Sequence, residues 1–60
     1  MKKSEQFKIV AEAAKELAKL LKREPYATTE DLARIAEKMV EKFNVNEDVA
    51  FEIVNDLYNF

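Results

Sequence analysis

Apolar residues recur at the α-helical period in three separate stretches of this 60-residue chain, and no glycine lies anywhere between them. Spacings of three and four residues put side chains on one face of a helix, whereas a half-buried strand would alternate. No stretch alternates. The pattern predicts an all-α protein: a compact three-helix bundle, up-down-up, with residues 1–60 as a single three-helix domain. Hydrophobic residues make up 48% of the chain, ample for a small core, and charged residues at 37% supply a solvated exterior. This is not the composition of a disordered chain.

Local signals place the helices. The first is expected over 4–23, with Ser4 as N-cap and Glu5 in the first turn, where the helix dipole favours an acid. Its core stripe reads Phe7, Val10, Ala11, Ala14, Leu17, Ala18 and Leu21, and Pro25 stops it, because proline drives the preceding residue out of the α region. The second is expected over 29–43. Thr28 and Asp31 form a capping box with Asp in place of the usual Glu or Gln, and Ala27 and Leu32 stand at the positions of a hydrophobic staple. Its stripe is Leu32, Ile35, Ala36, Met39, Val40 and Phe43. Asn44 suits the left-handed residue that ends a helix, and Asn46 suits the N-cap of the third helix, expected over 47–59. The third stripe is Ala50, Ile53, Val54 and Leu57, flanked by Val49, Phe51, Tyr58 and Phe60.

Charge and residue types then exclude whole classes of function. A net charge of −2 is far from the basic footprint of a nucleic-acid binder, so no nucleic-acid partner is expected. Without cysteine there is no disulfide framework and no thiolate metal site, and without histidine nothing activates Ser4, Thr28 or Thr29 as a nucleophile. No apolar run approaches the ~18 residues that span a membrane. The opening Met1-Lys2-Lys3-Ser4-Glu5 does not read as a signal peptide. A cytoplasmic setting, or that of a recombinant soluble protein, fits this picture. The expectation is a non-enzymatic protein with no catalytic residues, no cofactor and no metal.

Three surface patterns remain. Charge is polarised: residues 1–25 hold seven basic and four acidic groups, residues 26–43 three and four, and residues 44–60 none and four. Lys8, Lys15, Lys19 and Lys22 share one side of helix one, pointing to phosphate or acidic-partner contact or simply to a solvated face. Asp48, Glu52 and Asp56 form an acidic ridge at i, i+4 and i+8 on helix three, a docking face for a basic partner, a weak divalent-cation site with Asn55 and Asn59, or again a solvated face. Ile9, Ala13 and Leu20 lie off the main stripe of helix one. Together with Phe51 and Tyr58 beside helix three, they are the candidate partner-binding residues, open to a protein partner or to self-association. Equally, they widen the face that helix one turns to both neighbours.

The order of elements, with Leu21-Lys22-Arg23-Glu24 before helix two and Phe43-Asn44-Val45-Asn46-Glu47-Asp48-Val49 leading into helix three, loosely resembles a homeodomain-like three-helix domain. That resemblance implies an orthogonal arrangement as the alternative fold and DNA binding as a function. The departures are large. The family reads DNA with a basic third helix and a Trp-Phe-x-Asn core. Here the third helix has no Lys or Arg, and Ile53-Val54-Asn55-Asp56 stands where that signature would fall. An acidic third helix would repel the duplex.

Two non-enzymatic functions follow. Near-complete binary patterning and well-placed caps fit a designed or re-engineered stable scaffold with no intrinsic biochemical activity and no required partner. The alternative is a small natural protein–protein interaction module using the apolar flanks of helices one and three.

Overall fold

The computed structural model describes residues 3–59, and all of its regular structure is helical: α1 (Lys3–Arg23), α2 (Thr29–Phe43) and α3 (Glu47–Asn59). The three pack as an all-α bundle of 33 × 18 × 17 Å. Its long dimension matches the length of α1, about 31 Å at 1.5 Å per residue. One cluster of buried side chains, drawn from all three helices and the first connection, forms the core: Ile9, Ala13, Leu17, Ala27, Leu32, Ile35, Ala36, Met39, Ala50 and Val54.

The connections form as local chemistry dictates. Pro25 ends α1, although the Glu24 amide still donates to the Leu20 carbonyl at 3.0 Å. Thr28 is the N-cap of α2, with extended backbone (φ −86°, ψ 168°). Its hydroxyl accepts from the Asp31 amide at 3.2 Å, and its own amide donates to Asp31 Oδ2 at 3.1 Å, so the capping box is reciprocal. Both staple residues, Ala27 and Leu32, are buried. Asn44 takes the left-handed conformation (φ 54°, ψ 47°) and its amide closes on the Val40 carbonyl at 2.8 Å. Asn46 Oδ1 caps α3 by accepting from the Asp48 amide at 2.8 Å. Left-handed geometry costs an ordinary L-residue about 1–2 kcal/mol, and a β-branched one most of all. Asn44→Val is therefore expected to lower the melting temperature by about 5–10 °C, since 1 kcal/mol is worth about 4–8 °C in a domain this small. Asn44→Gly should not lower it. Equal melting of the two variants would show that the backbone at this corner relaxes without penalty.

The helices alternate in direction. Glu12 meets Lys42 at 3.0 Å and Glu16 meets Lys38 at 2.8 Å, so a step up α1 is a step down α2. At the far end, the Ala27 amide donates to the Tyr58 hydroxyl at 3.0 Å, bringing the last turn of α3 back to the start of α2.

Two expectations need correction. Ser4 is not an N-cap, because Lys3 already belongs to the helix. More consequentially, α1 is rotated. Its buried residues are Ile9, Ala13 and Leu17, with Leu20 packed half-buried beside them. Phe7 is 71% exposed and Leu21 39%, and Ala11, Ala14 and Ala18 face solvent. The inward face lies about 100° around the helix from the stripe read off the sequence, at 100° per residue. Two physical reasons favour this rotation. Ile9 and Leu20 join Leu17 in bringing large side chains inward, and although Phe7 and Leu21 stay in water on the other face, the three alanines beside them lose little there. The rotation also sets Glu12 and Glu16 against Lys42 and Lys38 of α2.

Candidate functional site

The residues expected to form an exposed partner-binding patch are spent inside the bundle. Ile9 and Ala13 have no solvent exposure, and Leu20, Phe51 and Tyr58 are half-buried against the core. Of the patch expected at Ile9, Ala13, Leu20, Phe51 and Tyr58, the first two are therefore out of reach of solvent and the other three keep only part of their surface. Tyr58 has an internal task, its hydroxyl accepting the Ala27 amide. Phe60, also expected beside helix three, lies outside the described residues.

Of the stripe it was expected to bury, α1 keeps Leu17 buried and Val10 half-buried, and presents the rest to solvent instead: Phe7, Ala11, Ala14, Ala18 and Leu21. Their spacing is 4-3-4-3, the repeat of a helix that packs against another helix along a seam. Lys8, Lys15 and Lys22 follow immediately after Phe7, Ala14 and Leu21, so they line one border of the stripe, and all three are exposed. On its other border the surface runs into a shallow cleft of about 200 Å³ between α1 and α3, lined by Gln6, Val10, Ile53, Asp56 and Leu57. Beside the cleft come the exposed Val49 (38%) and the exposed acids Asp48 and Glu52, on one ridge with the Asp56 of the cleft lining. An apolar surface spanning two helices thus lies between a lysine border and an acidic border. The lysines of α1 do not offset the acidic ridge. Among the described residues every ion pair of α1 is made within α1 or with α2.

The opposite side of α1 carries a second cleft, about 270 Å³, between α1 and α2. Lys19, Arg23, Arg34 and Lys38 line it, but so do Glu16 and Asp31. Glu16 takes Lys38 at 2.8 Å and Lys19 at 3.7 Å. The Lys38 hydrogen bond, and then the charges of Lys38 and Lys19, hold its carboxyl below the ordinary range against the opposing effect of partial burial. Asp31 is also held low, first by the Thr28 amide, then by the Thr28 hydroxyl, with Arg34 and Arg23 adding their charge. The cleft is thus largely an internally balanced ion network, each exposed pair worth no more than about 1 kcal/mol. Asn55 and Asn59 are likewise engaged with each other, Asn59 Nδ2 donating to the Asn55 carbonyl at 2.8 Å and to its Oδ1 at 3.2 Å. Among the described residues no three acidic side chains converge as a metal site would require, and no helix is long and apolar enough to cross a membrane.

The depressed carboxyls set an acid limit. A group whose folded pKa is lowered contributes stability that is complete above its unfolded value, about 4, and is lost as pH falls through the folded value. The melting temperature should hold between pH 7 and about pH 5 and decline below about pH 4. Asp31→Asn with Glu16→Gln should flatten that decline. A decline of unchanged steepness in the double variant would place the acid sensitivity in other groups.

No family model matches the chain, and neither a curated protein nor a solved structure does.

Proposed function

We propose that this chain is a non-enzymatic helical module that works by protein–protein contact, through the outward face of α1 and the adjoining edge of α3. The observation that carries this reading is the exposed 4-3-4-3 stripe of Phe7, Ala11, Ala14, Ala18 and Leu21. A contiguous apolar surface rimmed by charge is what an interface looks like, whereas apolar residues scattered singly need no explanation. The flat lysine and acid borders offer no desolvated pocket in which a carboxylate could be tuned for catalysis, which supports the non-enzymatic part.

A second reading, a bare stable scaffold, draws on a different feature: among the described residues no buried side-chain polar atom lacks a partner, and α2 and α3 are capped by their own side chains. One experiment separates the two. Anilinonaphthalene sulfonate, which fluoresces on apolar surface, is added to dilute protein at ~1 µM and to the Phe7→Gln/Leu21→Gln variant. The contact reading expects a signal from the native chain that the variant loses, with the melting temperature shifted by no more than a few degrees, as for surface substitutions generally. A native chain that gives no signal favours the scaffold. A variant that unfolds shows the stripe to be structural and removes the contact reading.

A further inference from the structure

We infer that the partner of this face is a second copy of the chain, docked in parallel about a two-fold axis that runs along the bundle. The inference rests on the contact reading above and adds the partner and its orientation.

The argument is one of charge geometry. Across the face the order is a lysine border (Lys8, Lys15, Lys22), the apolar stripe of α1, the α1–α3 cleft, and an acidic border (Asp48, Glu52, Asp56). Residues 44–60 contain no basic residue at all, so the acidic border is undiluted, and none of Lys8, Lys15 and Lys22 is in an ion pair among the described residues. A surface polarised in this way complements itself in one orientation. A two-fold axis parallel to the helices lays α1 of each copy over α3 of the other, so that each lysine border meets an acidic border. An axis across the helices would bring α1 onto α1, lysines onto lysines and acids onto acids. Isologous contacts of this kind are the commonest way in which a chain pairs with itself, and opposed like charges are the usual penalty against a wrong register. Ala11, Ala14 and Ala18 let a facing helix approach closely, while Phe7 and Leu21 supply the larger anchors at the two ends of the stripe. Val49 and the half-buried Ile53 and Leu57 are the apolar counterpart on α3. A stable interface buries about 800 Å² per partner, which is roughly a sixth of the 4636 Å² surface of this chain.

Sedimentation equilibrium on the full chain, from ~10 µM to ~2 mM at low and at moderate salt, tests this, since borders of opposite charge attract less once salt screens them. The expected result is a monomer–dimer equilibrium that weakens as salt is raised. Phe7→Gln/Leu21→Gln should weaken it at least about tenfold. Lys15→Glu alone should weaken it, and adding Glu52→Lys in the same chain should restore it, because the parallel arrangement sets the two borders against each other across the interface. A monomer at every concentration overturns the inference. So does a dimer indifferent to Phe7→Gln/Leu21→Gln, which would lie on another face. A dimer that Lys15→Glu weakens and Glu52→Lys weakens further overturns the parallel orientation. If the chain stays monomeric while the dye signal at ~1 µM is present in the native protein and lost in the variant, the face serves a different protein and only the second copy is removed.

Discussion

Ile9→Lys is expected to unfold the chain at 25 °C, whereas Phe7→Lys, the same kind of replacement half a turn away, should leave it folded with its melting temperature nearly unchanged. Ile9 has no solvent exposure and sits in the core with Ala13, Leu17 and Met39. Lysine there forfeits about 2–3 kcal/mol of apolar burial and leaves an ammonium without a partner, which costs several kcal/mol more. A domain of this length holds only about 3–9 kcal/mol of stability in total, at 0.05–0.15 kcal/mol per residue. Phe7 is 71% exposed, and lysine is the better helix former, so the change there should fall within about 0.5 kcal/mol. Far-ultraviolet circular dichroism with thermal melting checks the pair. Equal melting of the two variants, or a folded Ile9→Lys beside an unfolded Phe7→Lys, would mean that α1 turns its other face inward.

The next largest effect is expected from a single oxygen atom. Tyr58→Phe keeps the ring packed against the core but removes the acceptor of the Ala27 amide, a bond of 3.0 Å to a residue only 8% exposed. A buried donor left without a partner costs about 1–3 kcal/mol, so the melting temperature should fall by about 5–20 °C at 4–8 °C per kcal/mol. The loss should also be local. Amide hydrogen exchange at Ala27 should accelerate more than at Val54, because the bond ties the end of α3 to the entry of α2. Unchanged melting and unchanged exchange at Ala27 would show that water replaces the hydroxyl without cost.

These two residues also mark where a linear reading stops being sufficient. Helix number, the helix boundaries apart from the start of α1, the Thr28–Asp31 box, the left-handed Asn44 and the Asn46 cap were legible in the chain, because each depends on residues no more than four apart. The inward face of α2 was legible too, and so was the stripe of α3 at Ala50, Ile53, Val54 and Leu57, though Phe51 and Tyr58, read as flanks, also pack against the core. Helix α1 differs because its apolar arc offers two overlapping faces. Phe7, Val10, Leu21 and three alanines lie toward one, Ile9, Ala13 and Leu20 toward the other, and Leu17 belongs to both. Helix periodicity ranks neither, since both satisfy it. A signal did exist in Glu12 and Glu16 on α1 and Lys38 and Lys42 on α2. Both are i, i+4 pairs, and an antiparallel packing brings them together at 3.0 and 2.8 Å. That signal has meaning only once the two helices are placed side by side.

The proposed contact surface inherits this division. Its components were all visible: a lysine side on α1, an acidic ridge on α3, and surplus apolar residues on α1. Which apolar residues were surplus was not visible, and the sequence pointed to Ile9, Ala13 and Leu20 where the structure exposes Phe7, Ala11, Ala14, Ala18 and Leu21. Tyr58 was placed on the surface because nothing within a few residues explains its hydroxyl, and its partner is 31 positions away. Local composition and spacing therefore settled what the elements are and, apart from the start of α1, where each begins and ends, since helix formation, capping and chain reversal are short-range processes. Packing alone settled how α1 is turned about its own axis, and with it which side of the helix is core and which is left in solvent. That choice depends on total buried area and on charges that come together only when distant helices touch.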